Sequence, residues 1–262
     1  MYAPGHGAQV PVEKSFPKLD DHVVEPEGRE ELLRGRKLYA APAHPEHGDP
    51  HFRIDATVGP SLTRDRVGST DMITRVADDG DLATDTSIRR RGIDPATGQR
   101  YLEEMVFEVV NTQRLSDVTA KAEELAARGV RRIFAVFVRK GVVSEWRDDQ
   151  WEPLSEDDEI VDECLASPIP VKALLRDSEV GPATVRGLLA RKEPALLQLL
   201  TEREEKGELD GRRAALRTLL AARGLTLDEA QRARVEACDD VATLDAWITR
   251  AATATGTLGV FG

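Results

Sequence analysis

The chain has 262 residues, 40% hydrophobic and 32% charged, with a formal net charge of −11. That length and balance suit one medium domain with an extension, or two small domains, and exclude a chain too polar to build a core. The acidity argues against gripping nucleic acid through bulk charge, but leaves room for a local basic groove or an acidic site that needs a divalent metal.

No apolar run approaches the length of a membrane span, and the opening M-Y-A-P-G-H-G lacks a basic-then-apolar signal, so no membrane association and a cytoplasmic location are expected. The two cysteines, Cys164 and Cys238, are far apart and lack metal spacing, so a disulfide framework is not expected.

Residues 1–24 are rich in proline, glycine and isolated charges and read as a mobile or loosely packed arm. Pro26 to Leu33 has the composition of a short helix ended by Gly35, and Arg36 to Ala41 reads as a first strand. Pro42 to Pro50 reads as a loop, and His51 to Leu62 as a short helix with Phe52, Ile54 and Val58 apolar. Met72 to Val76 and Leu82 to Ile88 form a strand pair around the turn residues D-D-G-D at 78–81, with Asp85 in the middle of the second strand. I-D-P-A-T-G-Q at 93–99 is a further turn.

Residues 101–138 read as strand, helix, strand, and the rest of the chain is arranged around them. Met105, Phe107 and Val109 point one way; Val106, Glu108 and Val110 point the other. A strand apolar on both faces is covered on both faces, and a carboxylate within it is costly unless paired, protonated or bound to metal. In the next helix Ser116 suits the N-cap, and Val118, Ala122, Leu125 and Ala126 form the apolar stripe. Lys121 lies at the edge of that stripe, where it either reaches Glu108 or pairs with Asp117 four residues earlier. Ile133 to Val138 is a buried strand, and Val142 to Trp146 with Trp151 to Leu154 forms a hairpin at a sheet edge. From Asp177 onward the pattern is helical: 179–192, 195–206, 210–223, 228–237 and 241–253, with Gly207 and Gly211 as breaks and Thr226 or Asp228 near a cap. The expected division is an arm at 1–24, a domain at 25–176, connecting helices at 177–206 and a helical module at 207–262.

Two constellations carry chemistry. Asp85, Glu108 and Lys121 interrupt otherwise apolar elements. Two strand carboxylates suit Mg²⁺, and a lysine beside them suits a phosphodiester and its attacking water. His44, His47, Asp49 and His51 fall within H-P-E-H-G-D-P-H, a donor density that suits Zn²⁺ or Mn²⁺. Pro45, Pro50 and the irregular spacing match no zinc pattern, so a polar loop is the favoured reading there. No G-x-S-x-G, P-loop or G-x-G-x-x-G occurs, which sets aside nucleophilic hydrolases, P-loop NTPases and dinucleotide enzymes.

These landmarks, in this order, resemble the Uma-type restriction endonucleases of the PD-(D/E)XK nuclease superfamily. E-L-L-R-G-R-K-L-Y-A-A-P-A-H-P-E-H at 31–47 is similar to the family's opening. T-D-T-S-I at 84–88 is similar to its first acidic strand, and V-F-E-V-V-N-T-Q at 106–113 to its second. Asp117, Lys121, Gly129-Val130 and R-R-I-F-A-V-F-V follow as in the family. Thr84 stands where the family tends to have proline, Leu125 replaces a tyrosine, and Asn111-Thr112-Gln113 replaces a Ser-Pro turn. The strand E-x-K lysine is absent, and its place is taken by Lys121 on the helix.

The resemblance covers about residues 25–175. It implies an α/β (α+β) restriction-endonuclease-like mixed β-sheet flanked by helices, here with a C-terminal all-helical extension. It implies a Mg²⁺ (or Mn²⁺) site made by Asp85, Glu108 and the backbone carbonyl of Val109, with Lys121 positioning water. Glu31 is the further outer ligand and Gln113 the further contact to phosphate or water. DNA is the implied substrate and a homodimer the implied assembly. The alternative is a silent relative whose carboxylates face solvent or pair with arginines such as Arg89 or Arg114.

Overall fold

The computed structural model describes residues 15–25, 28, 30–39 and 44–262. The chain divides into two compact units, Met1–Arg191 and Lys192–Gly262. The first is built from β1 (Glu30–Leu33), β2 (Arg36–Tyr39), α1 (Pro45–Ser61), β3 (Arg66–Ala77), β4 (Gly80–Arg90), β5 (Glu103–Val110), α2 (Leu115–Arg128), β6 (Arg132–Phe137), β7 (Val142–Arg147) and β8 (Gln150–Pro153). The short strands β9 (Glu159–Ile160) and β10 (Ile169–Pro170) and the helices α3 (Val171–Leu175) and α4 (Asp177–Ala190) complete it. The protein is therefore mixed α/β, with a mixed sheet flanked by helices and a C-terminal helical extension. No helix among the described residues is long and apolar enough to cross a membrane.

The sheet has eight strands, ordered β2-β1-β4-β5-β6-β7-β8, with β3 also paired to β4. Among the described residues only β5 and β6 pair in parallel, and α2 is the crossover that parallel strands require. β5 is covered on both faces, as its sequence requires. Met105, Phe107 and Val109 pack with Ile54 and Val58 of α1, while Val106 packs with Ala122 and Leu125 of α2. Burying each such side chain stabilises the fold by about 1.5–3 kcal/mol. α2 ends at Gly129, whose φ of 114° lets its N–H and that of Val130 close back on the Leu125 carbonyl. On the α1 face, Gly187 of α4 lets two helices meet, because a Cβ there would lie 2.7 Å from the Pro60 carbonyl oxygen.

β4 is the strand that creates an opening. β3 follows one of its edges from Gly80 to Arg90. The other edge is shared: β1 pairs at Asp81, and β5 begins pairing only at Thr86. Between them, residues 82–85 have no strand on that edge. A sheet that forks in this way leaves backbone groups to be satisfied by side chains.

Several expectations need correction. Residues 30–33 are a strand, not part of a helix; Pro26 lies outside the described residues. The stretch has helical composition, but the open edge of β4 and the turn at Arg34-Gly35 (φ 51° and 71°) make it a hairpin arm. α1 begins at Pro45 rather than His51, so 45–50 is helix and not loop; Pro45 at the first position lacks an N–H that the helix would leave unpaired anyway. Ala126 is exposed, and the cap of α2 is Arg114, not Ser116. Residues 15–24 include buried Leu19 and Val24, and the Val23 and Val24 amides donate to buried Asp81 at 2.7 and 3.0 Å, so that segment is packed. Residues 1–14 lie outside the described residues.

The second unit holds α5 (Pro194–Ala222), α6 (Glu229–Ala237), α7 (Val241–Ala251) and α8 (Leu258–Phe261) around Leu216, Leu220, Leu244, Trp247 and Val260. α5 is one helix of 29 residues where two were expected. Gly207 and Gly211 cost about 1 kcal/mol each in a helix interior, and the Glu, Arg and Lys around them sustain it. Asp228 caps α6 in a reciprocal pair with Gln231.

Candidate active site

The fork in the sheet gathers the polar interruptions seen in the sequence. Thr86 of β4 is in register with Phe107 of β5, so Asp85 and Glu108 are the next residues outward on the two strands. Asp85 Oδ2 accepts the Val109 amide at 2.6 Å, which closes the sheet edge with a carboxylate instead of a strand. Lys121 reaches in from α2. Its Nζ donates to the Ala83 carbonyl, one of the groups left open by the fork, and lies 3.1 Å from Glu108 Oε1 and 3.2 Å from Glu31 Oε2.

Lys121 does not pair with Asp117. Asp117 is taken by Arg36 of β2 at 2.5 Å, while Arg34 holds Glu123 and Glu124 at 2.7 and 2.6 Å. These contacts bind the β1–β2 hairpin to α2 and bring Glu31 to the site from a strand. Among the described residues, the ion pairs of Asp85 and Glu108 are with His47 and Lys121, not with Arg89 or Arg114.

The electrostatics divide the two carboxylates. Burial pushes Glu108 well above the ordinary carboxylate range, against the pull of Lys121 and with added repulsion from Asp85 and Glu31. Burial also opposes charge on Asp85, yet the His47 hydrogen bond, the Lys121 charge and the Val109 amide together hold it below its ordinary value. Burial would lower Lys121, but Glu108, Glu31 and Asp85 outweigh it and keep the ammonium protonated. Glu108 Oε1 and Glu31 Oε2 are buried and make no hydrogen bond of acceptable geometry, despite their closeness to Lys121. Glu108 and Glu31 thus offer buried oxygens of the kind that suits a hard, oxygen-preferring divalent cation, but they already share the Lys121 ammonium and, with Asp85, do not converge within 4.8 Å.

The other predicted positions are placed as follows. Gln113 folds back on its own turn: Nε2 donates to the Val109 carbonyl at 3.2 Å, and Oε1 accepts the Asn111 and Thr112 amides at 2.8 and 3.1 Å. The Val109 carbonyl is thus engaged once and keeps a second lone pair. His44 and Asp49 are exposed and stand apart from the cluster.

His47 and His51, possible Zn²⁺ or Mn²⁺ donors in what the sequence favours as a polar loop, converge with Asp85 from α1. They lie four residues apart on α1, hence on one helix face. His47 Nε2 lies 3.3 Å from Asp85 Oδ1, and His51 Nε2 lies 2.5 Å from the Asp85 carbonyl oxygen. The Asp85 carboxylate raises the His47 imidazole against partial burial. Asp71, opposite Asp85 on β3, takes φ 50° and is pushed up by burial. The signal for a helix that presents both histidines to Asp85 is their i, i+4 spacing, which the prolines around them obscure.

No protein-family model matches the chain, and no curated protein matches it. Among solved structures, the chain is similar to the proposed nuclease of DUF820 from Anabaena variabilis, at 14% identity over 56% of this chain and 89% of that one, with a TM-score of 0.45. A likeness of that size bears neither on chemistry nor on substrate.

Proposed function

We propose that this protein is a Mg²⁺-dependent endonuclease that hydrolyses DNA phosphodiester bonds. The observation that carries the reading is the meeting of Asp85, Glu108 and Lys121, from two strands and a helix, at the fork of the sheet. Asp85, Glu108 and the Val109 carbonyl would hold the cation, with Glu31 on its outer side. When bound, the ion would polarise the phosphodiester and acidify a water.

The chain's own residues supply the rest. Lys121 stays protonated, so it acts as a donor and not as a base: it orients the attacking water and neutralises charge on a phosphate oxygen. Without a cation, the carboxyl groups of Asp85, Glu108 and Glu31 crowd the Lys121 ammonium, with Asp71 close to Asp85, which disfavours an anionic phosphate there. Exposed Arg114, Arg139 and Lys140 follow the C-terminal ends of β5 and β6, and Arg139 Nε donates to Asn111 Oδ1 at 3.0 Å. They would meet a DNA backbone that enters from that end. Cutting both strands would take two copies of the chain.

The test is cleavage of supercoiled plasmid with Mg²⁺ or Mn²⁺ and with EDTA, using wild type, Asp85→Ala and Lys121→Ala. Metal-dependent cutting lost in both variants supports the reading. Metal binding with neither nicking nor cutting of plasmid favours the alternative, a silent protein of this fold acting in binding or assembly.

A further inference from the structure

We infer that His47, His51 and Asp85 form a second cation site, for a divalent first-row transition ion such as Zn²⁺ or Mn²⁺, on the α1 side of the fork. One nitrogen of each imidazole and one oxygen of Asp85 lie within 4.8 Å of one another, and among the described residues no other such group of histidine, cysteine and carboxylate donors comes that close.

Four observations support it. The two histidines share one helix face, so a single rigid element presents both, with ring centroids 6.1 Å apart. The His47 Nε2 to Asp85 Oδ1 distance of 3.3 Å matches the roughly 3.4 Å between ligand atoms that bonds of about 2.0–2.1 Å to a tetrahedral ion impose. The donors are held in place by neighbours. Asp85 Oδ2 accepts the Val109 amide, His51 Nε2 lies 2.5 Å from the Asp85 carbonyl oxygen, and Asp55, 3.6 Å from the same nitrogen, is itself fixed by Thr86 Oγ1 at 2.6 Å and Thr70 Oγ1 at 3.1 Å. Finally, the Asp55 carboxylate lies 3.6 Å from His51 and the Asp71 carboxylate is close enough to both imidazoles to interact with them, so the surroundings attract a cation and repel an anion.

Donor chemistry separates this site from its neighbour. Two imidazoles and one carboxylate select borderline first-row ions, whereas Asp85, Glu108 and a carbonyl offer oxygen alone and select Mg²⁺. Asp85 would serve both, one oxygen toward each side. This inference concerns binding by His47 and His51, and it holds or fails independently of DNA cleavage.

Co²⁺ is the probe. The full-length protein is titrated with Co²⁺ and followed by its visible absorption, then competed with Zn²⁺ and with Mg²⁺. Wild type, His47→Ala, His51→Gln and Glu108→Gln are compared, with far-UV circular dichroism to check folding. Intense visible bands of an imidazole-ligated ion are expected in wild type and Glu108→Gln, displaced by Zn²⁺ and not by Mg²⁺. Affinity should fall at least roughly tenfold in each histidine variant.

Should a histidine variant not fold, nitrogen couplings in pulsed EPR of the Mn²⁺-loaded wild type decide the question: their presence supports the site and their absence overturns it. Co²⁺ binding that is equal in all variants, or a spectrum of oxygen ligation alone, also overturns it. A cobalt spectrum with these properties in a protein that never cuts DNA would end the nuclease reading and leave this site standing. Cutting that persists in protein with no cobalt bands would do the reverse.

Discussion

Lys121 Nζ lies 3.1 Å from Glu108 Oε1, and the two side chains come from adjacent elements, β5 and α2, each about 12% exposed. Glu31 is a second carboxylate on the same ammonium at 3.2 Å. Lys121→Met therefore leaves two buried carboxylates facing each other without a cation. Breaking a buried pair from one side costs about 3–5 kcal/mol. Urea unfolding should register that loss, and Lys121→Met combined with Glu108→Gln should recover about 1–3 kcal/mol of it. Additive losses would mean that the pair is not coupled.

The same residues show how much was legible in the sequence. A charge inside an apolar strand, or on the edge of an apolar helix stripe, conflicts with its surroundings. Asp85, Glu108 and Lys121 could be read for that reason, as could the strand–helix–strand at 101–138. β1 could not. Glu30–Leu33 has helical composition, and it is extended because it forms a hairpin with β2 and joins the open edge of a strand some fifty residues away. His47 and His51 stand out in the sequence as possible metal donors, but Pro45 and Pro50 read as loop signals; Pro45 instead starts α1 and Pro50 lies inside it, which puts both histidines on one helix face.

Arg139 tests the path of the substrate. It is exposed and donates to Asn111 Oδ1 at 3.0 Å. If DNA runs over the ends of β5 and β6, Arg139→Ala should weaken binding to unrelated sequences alike and reduce the salt slope by about one. Fluorescence anisotropy on duplexes of different sequence across a salt series measures both. An unchanged slope would move the DNA path elsewhere.

Asp81 anchors the segment before β1. It is fully buried, accepts the Val23 and Val24 amides, and pairs with Arg75 at 3.3 Å. Asp81→Ala strands two amides and a buried guanidinium, at a cost of about 3 kcal/mol or more. Residues 15–25 should then become cleavable by protease under native conditions. Protection equal to wild type would show that Leu19 and Val24 hold the segment by packing alone.

The two thiols should differ in reactivity. Burial pushes the Cys164 thiol far up, and the Glu104 and Asp162 carboxylates beside it add to the shift. Cys164 Sγ donates to Glu104 Oε2 at 2.9 Å. A thiolate is the reactive form, so Cys164 should resist a thiol reagent in the native protein, while half-buried Cys238 reacts. Mass spectrometry should find one label in buffer and two in urea. Native labelling of Cys164 would mean that the α1-side core opens on the timescale of the reagent.

Asp162 gives a pH dependence away from the fork. Its side chain is 2% exposed and grips Arg131 through two hydrogen bonds of 2.6 and 2.8 Å, with the Cys164 amide at 2.9 Å. Burial opposes its charge, yet Arg131 and the amide hold it well below the ordinary carboxylate range. A carboxylate depressed in the folded state contributes stability above its unfolded pKa, near 3.9, and loses it as pH falls toward the folded value. Because Arg131 is 43% exposed, solvent screens the pair, and about 1–2 kcal/mol is the expected size. Thermal melts of wild type and Asp162→Asn should therefore differ most at neutral pH. The gap should begin to close only below about pH 4, since protonation is what the folded state resists. A gap that stays constant into acid would mean that the contribution comes from packing and the amide contact, and not from the charge.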